Sequence, residues 1–429
     1  MTAEVAVMNR IGVALAADSA VAIGPTADKI YTSAEKLFQL STVDPIGVMV
    51  YGNASFMSLP WETIIKSLRI KLGSQRFDTV EDFGSRIIRY LTHNEDVFPL
   101  SIQHRQVDVL ILSFFFHIRE LLRKAIDEEI RKKGSEPIPE ADLPAIFAPV
   151  IRSRLDDVKS ANRIDACSAD LVQTIRESHR SRIENARHQV FENLPLSDSS
   201  KQELLELAVE MLTRQYFGPL KCGLVVAGFG DKEYLPALYS YELEEMIEGI
   251  PRLKPMERHC VGVDSEGCIL AFAQQESVHQ FLQGIDQQFE HFIQESTNRI
   301  VTGAVAAILD KLAGVDADLA NQLRETVEPE VAQMLQSLFQ DWANRKKQYW
   351  EPILDVVSIL PKDELAAMAE SLVNLTKFRR RVTPQRETVG GPIDVAVITK
   401  GDGFVWLRRK HYFDPDLNPR VMARFAKET

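Results

Sequence analysis

Three short apolar runs near the start of the chain, at 5–8, 11–17 and 46–51, constrain its fold more than any other feature. They are rich in β-branched residues and divided by turn formers, which predicts strands of a buried sheet. Two charges interrupt them where charge is costly. Asp18 follows the second run, and Lys36 opens KLFQL, which reads as a further strand. A carboxylate and an ammonium at strand ends beside a core need a partner or a chemical role. Thr2 is the third unusual element. After Met-Thr the initiator methionine is readily removed, leaving a threonine with a free α-amino group. That amine, with an ordinary pKa of about 8, can act as general base for its own hydroxyl.

In order and spacing these elements resemble the start of a proteasome β-type subunit, a threonine-dependent N-terminal-nucleophile hydrolase. In that family a terminal threonine opens the first strand, and an aspartate follows an A-A-D or A-G-D run. A lysine then heads a K-[IV]-x-x-[IL] strand, and a glycine closes a later apolar strand. Here they fall on Thr2, Asp18 in ALAADS, Lys36 in EKLFQL and Gly52 in VMVYGNAS. The resemblance implies that Thr2 attacks an amide carbonyl while its own amine moves the proton. Lys36 would stabilise the alkoxide and lower the proton affinity of the amine by like-charge repulsion. Asp18 would orient Lys36, and the Gly52 N–H would bind the oxyanion. Lys29 in ADKIY competes for the lysine role; Lys36 is preferred for the longer strand-like run behind it and its distance to Gly52. Beside these stand simpler readings: a strand threonine, a structural ion pair and a turn glycine.

Two motifs depart from the family. Its serine before the third helix and its D-x-x-[ST]-G-G run before the last hairpin correspond here to AFAQQES and RETVGG. Gln274 then stands for the serine, and Arg386 and Val389 for the aspartate and second serine. Ser277, Glu387 and Thr388 lie close enough to substitute after a small register shift.

Further along, Pro60-Trp61 marks a helix start and a second helix is expected over 80–91. From 93 the pattern is helical and charge-rich to about 215, divided by Pro137, Pro139, Pro144 and Pro149. Strand patterning returns over 217–242, with a turn at 228–233. A second strand pair is expected over 259–273, turning at Ser265-Glu266-Gly267. A long helical stretch follows to about 377, broken near Gly314 and Pro352, and a final hairpin covers 391–410. The expected fold is α+β, a four-layered αββα N-terminal-nucleophile sandwich with a large helical insertion. Its pieces are an N-terminal core part (2–92), the insertion (93–216), the remaining core with an enlarged helical layer (217–412) and a tail (413–429).

The net charge of −11 argues against nucleic-acid and anionic-membrane partners. The apolar run 107–118 is too short to span a bilayer. The four cysteines form no C-x-x-C and read as buried, reduced thiols. No signal-peptide pattern opens the chain, so a cytoplasmic location is expected. Absence of H-E-x-x-H, P-loop and dinucleotide patterns leaves no cofactor or metal to expect. The resemblance implies a peptide or amide substrate and a homo-oligomer, and the sequence identifies no separate ATPase or regulatory partner. A non-catalytic scaffold and a small-molecule amidohydrolase are the rival functions.

Overall fold

The computed structural model of the chain describes residues 2–23, 29–134, 138–384 and 389–427. The early apolar runs form β1 (Ala3–Asn9), β2 (Gly12–Ala17), β3 (Val21–Ile23), β4 (Lys29–Tyr31), β5 (Leu37–Gln39) and β6 (Ile46–Gly52). Two short strands, β7 (Ser55–Phe56) and β8 (Leu59–Pro60), lead into α1 (Trp61–Leu72) and α2 (Val80–Thr92). The charge-rich stretch becomes α3 (Leu100–Lys132), α4 (Leu143–Ser160), α5 (Ala169–Ser178), α6 (Arg180–Phe191) and α7 (Asp198–Thr213). Then come β9 (Cys222–Gly228), β10 (Ala237–Ile247), β11 (Ile250–Cys260) and β12 (Gly267–Ala273). The chain continues through α8 (Glu276–Gln283), α9 (Gln287–Ala313), α10 (Ala317–Ile359) and α11 (Lys362–Val382) to β13 (Asp394–Thr399), β14 (Gly403–Arg408) and α12 (Pro419–Lys427). The protein is therefore mixed α and β, and each of its larger sheets is antiparallel where its pairings are resolved.

Two compact units divide the chain. One joins the residues up to Ala34 to Cys260–Pro419; the other spans Glu35–His259 and takes in the residues from Arg420. In the first, five strands lie in the order β12-β1-β2-β13-β14. Every residue of β1, β2 and β13 is buried, which explains their continuous apolar runs in place of an alternating pattern. Val5, Val7, Ala14, Ala16, Val395 and Val397 pack with Leu365, Ala366, Ala369, Leu372 and Val373 of α11. Alanines on both surfaces let helix and sheet approach closely.

The helical stretch of this unit breaks after α9, around Gly314, as the sequence predicts. It does not break at Pro352. Helix α10 carries both Pro329 and Pro352 and ends only at Ile359. A proline removes one N–H from a ladder that continues on both sides, which weakens a long helix without ending it. The true end is set by Pro361, which holds Leu360 extended at ψ 135°.

In the second unit the sheet order is β11-β10-β9-β6-β5. Helix α2 begins with a capping box in which Thr79 and Asp82 satisfy each other's backbone N–H. Helices α3 to α7 share an apolar cluster around Val107, Ile111, Phe115, Phe147, Leu204 and Leu207. The predicted strand pair over 259–273 is a correction. β11 joins the sheet of the second unit, while β12 pairs with β1. The partner of β11 is β10, through a turn at Glu248-Gly249 whose φ angles are both positive, +49° and +78°. The sequence reading missed this hairpin because charged residues in ELEEMIEGIPRLKPMER hide the strand pattern.

Glu245, on β10, gives the fold a pH dependence. Burial, reinforced by Glu244, pushes its carboxyl from 4.5 up to about 7, while the Met57 N–H, donating at 2.6 Å, and Arg252 oppose the shift. Between those values the folded chain holds a proton that the unfolded chain has lost, so stability falls as pH rises through the window. The difference amounts to up to about 3 kcal/mol. Urea midpoints of wild type and Glu245→Gln, which keeps an acceptor for Met57, are expected to diverge between pH 4.5 and 8. Wild type should become the less stable of the two as pH rises. Parallel curves would show that Glu245 ionises normally in the fold.

Candidate active site

The register of the first sheet sets the geometry around Thr2. Glu4 of β1 faces Ala17 of β2, so the start of β1 meets the residue that follows β2. That residue is Asp18. Its backbone N–H donates to the Ala3 carbonyl at 3.1 Å, and its Oδ1 accepts the Ala3 N–H at 3.1 Å. The other oxygen, Oδ2, accepts N–H groups from Ala20 at 3.2 Å and Gly390 at 2.8 Å. Asp18 is fully buried. Three backbone N–H donors thus converge on one carboxylate and fix its orientation.

The loop before β13 completes this cradle. Ser19 N–H donates to the Gly390 carbonyl at 3.1 Å, and Ser19 Oγ donates to the Pro392 carbonyl at 2.6 Å. Gly391 has φ +77°, and a Cβ there would stand 2.7 Å from Thr32 Cβ. Only glycine fits. Thr2 itself sits one residue outside the β1–β12 ladder. Its carbonyl accepts the Gln274 N–H at 3.2 Å, directly after Ala273, which adopts the left-handed φ of +61°.

The Thr2 hydroxyl is buried and makes no hydrogen bond among the described residues. Such a group costs about 1–3 kcal/mol in unrecovered hydration. Natural structures seldom keep one without a use.

Of the residues expected to act, the structure brings together Thr2 and Asp18, through Ala3. Lys36 and Gly52 belong to the second unit. Lys36 is buried immediately before β5, and its carbonyl accepts the Val50 N–H at 2.9 Å. Gly52, the last residue of β6, has φ +81°, and a Cβ there would meet the Lys221 carbonyl oxygen at 2.6 Å. Its glycine identity thus has a backbone cause independent of any chemistry. Lys29 is an exposed residue of β4. Gln274, Ser277 and Val389 are buried, whereas Arg386, Glu387 and Thr388 lie outside the described residues.

Sequence reasoning missed the grip of Asp18 on Ala3, Ala20 and Gly390. The signal available for it was the Val389-Gly390-Gly391 run, whose glycines read only as a family motif. Two of the buried thiols, Cys167 and Cys222, are poor competing nucleophiles. Burial pushes the Cys167 thiol up and the Cys222 thiol far above the range in which a thiolate forms.

No family model and no curated protein sequence matches the chain. Among solved structures it is similar to a Gly-1 mutant of Anbu from Hyphomicrobium sp. strain MC1, at 11% identity and TM-score 0.28, covering 100% of this chain and 97% of that one. It is also similar to Anbu, an ancestral beta-subunit, from Yersinia bercovieri, at 10% identity and TM-score 0.28, covering 99% of this chain and 97% of that one. Likeness at that score establishes neither fold nor chemistry for this chain.

Among the described residues no helix is long and apolar enough to cross a membrane.

Proposed function

We propose that this chain, with Met1 removed, is a proteasome-like N-terminal-nucleophile hydrolase of the αββα type that cleaves an amide bond through an ester on Thr2. The buried Thr2 hydroxyl, without a hydrogen-bond partner among the described residues, carries the reading. Asp18 supports it by fixing the next residue through two hydrogen bonds. In this mechanism the hydroxyl proton passes to the Thr2 amine as Oγ attacks the carbonyl carbon. The amine then hands that proton to the departing nitrogen. Water, deprotonated by the same amine, hydrolyses the ester and frees the acid. Lys36 is assigned to stabilise the alkoxide, and its burial favours it over the exposed Lys29. Gly52 is assigned to the oxyanion. Loss of such a donor typically costs about 3–4 kcal/mol.

The test is intact-mass analysis of the purified chain before and after a β-lactone. The expected result is a mass lacking Met1 and a single adduct on Thr2. Quantitative retention of Met1, or an adduct elsewhere, overturns the reading, since an acylated amine cannot act as base. A homo-oligomer belongs to the same proposal, because α9 and α10 expose Phe292, Ile300, Ile308, Met334, Tyr349 and Ile359. Light scattering of the same sample should then exceed the 48.5 kDa of one chain; a monomer at micromolar concentration removes that part.

A further inference from the structure

His104, His179 and Glu248 are far apart in sequence, yet the second unit gathers them. His104 lies on α3, His179 is the junction between α5 and α6, and Glu248 opens the turn from β10 to β11. One ligand atom from each lies within 4.8 Å of the others. Glu248 Oε1 is 3.0 Å from His179 Nε2 and 3.5 Å from His104 Nε2. The turn is held from two sides. Ser178 Oγ donates to Glu248 Oε1 at 3.3 Å, and Gly249 N–H donates to Gln103 Oε1 at 2.8 Å.

His179 supplies the decisive observation. Its side chain is 0% exposed, and neither ring nitrogen makes a hydrogen bond among the described residues. The 3.0 Å approach of Glu248 is therefore close but out of line with the ring nitrogen. An imidazole and a carboxylate that merely paired would align, because a hydrogen bond weakens steeply away from the N–H axis. Two ligands of one cation would not align, because the cation takes the lone-pair direction and the second ligand stands beside it. Tetrahedral bonds of about 2.0–2.2 Å place ligand atoms roughly 3.3 Å apart, so no pair here needs to close by more than about 1.5 Å. Two imidazoles on such a cation have centroids roughly 5 Å apart. The rings of His104 and His179 are 5.4 Å apart and nearly perpendicular, at 85°.

The geometry points to a site for one divalent transition-metal ion of the zinc class, held by His104, His179 and Glu248 with a fourth position open to water. Two imidazoles and one carboxylate suit zinc, cobalt or nickel and do not suit calcium or magnesium, which take oxygen ligands. The partial exposure of His104 (33%) and Glu248 (20%) leaves the open side. Occupied, the site would clamp three elements of the second unit that are distant in sequence.

The experiment uses the full, tag-free chain, stripped with a chelator and titrated with Co2+ and then Zn2+. The expected result is one equivalent of Co2+ with the visible absorption of a four-coordinate ion, displaced by Zn2+, and a higher melting temperature with Zn2+ present. His104→Ala and Glu248→Gln, both at partly exposed positions that leave the buried ring in place, should each lose roughly 100-fold or more in affinity and the Zn2+-dependent shift. His179→Ala should lose both as well. Absence of the four-coordinate spectrum in wild type, or equal affinity in wild type and the two surface variants, overturns the assignment.

Discussion

Thr2→Val is expected to abolish covalent labelling while leaving the protein as stable as wild type or slightly more so. Valine copies the shape of threonine and removes only the hydroxyl. Were that hydroxyl structural, its removal would break a hydrogen bond and cost about 1 kcal/mol. Here it has no partner among the described residues, so its loss ends an uncompensated desolvation and should gain roughly 1 kcal/mol. Both residues are small enough for Met1 removal, so the terminal amine is kept. Labelling should fall by at least about 10⁴-fold, the scale on which loss of a nucleophile acts. Thr2→Ser should label. The measurement is a urea melt and lactone-adduct mass for wild type and both variants. A Val variant that labels at the wild-type rate removes Thr2 from the chemistry. One that loses more than about 1 kcal/mol shows a native contact for the hydroxyl.

The division between legible and hidden features follows from range. The strands β1, β2, β6 and β13 were readable because burial on both faces writes continuous apolar runs, and the last strand, β14, was readable from the turn residues Lys400-Gly401-Asp402-Gly403 before it. Thr2 and Asp18 were readable as oddities, a hydroxyl and a charge in apolar surroundings. What Asp18 does was not. Ala3, Ala20 and Gly390 all donate backbone N–H groups to it, which carry no side-chain signal, and Gly390 lies 372 positions away. The same holds for His104 and His179, whose separation of 75 positions matches no local ligand motif. Pro352 misled for the opposite reason. A strong local breaker was overruled by a helix long enough to absorb it.

Arg252 is the clearest case of a residue hidden from sequence, and its replacement should have the largest effect on stability. In IPRLKPMER it reads as one of several surface charges. In the fold its side chain is 1% exposed and forms an ion pair with Glu244, itself 2% exposed. The guanidinium also donates to the carbonyls of Leu212 at 3.2 Å, Met211 at 2.6 Å and Tyr216 at 2.8 Å, and stands over the Phe217 ring at 5.1 Å. Two of those carbonyls belong to the last turn of α7, where the helix can no longer satisfy its own acceptors. Arg252 thus caps α7 from β11. Burial lowers its pKa and Glu244 opposes that shift, so the pair survives only as a unit. Arg252→Met should cost about 3–5 kcal/mol, because it leaves Glu244 charged and buried. Adding Glu244→Gln removes the stranded charge and should return part of that loss, while the carbonyls of Met211, Leu212 and Tyr216 remain without their donor. The checks are urea melts of the two single variants and the double variant, with far-UV circular dichroism for the helix content. Full recovery in the double variant would mean that the charge pair matters and the cap does not. A single variant within about 1 kcal/mol of wild type would mean that water reaches Glu244 and that this network is not the fastening of α7 to its sheet.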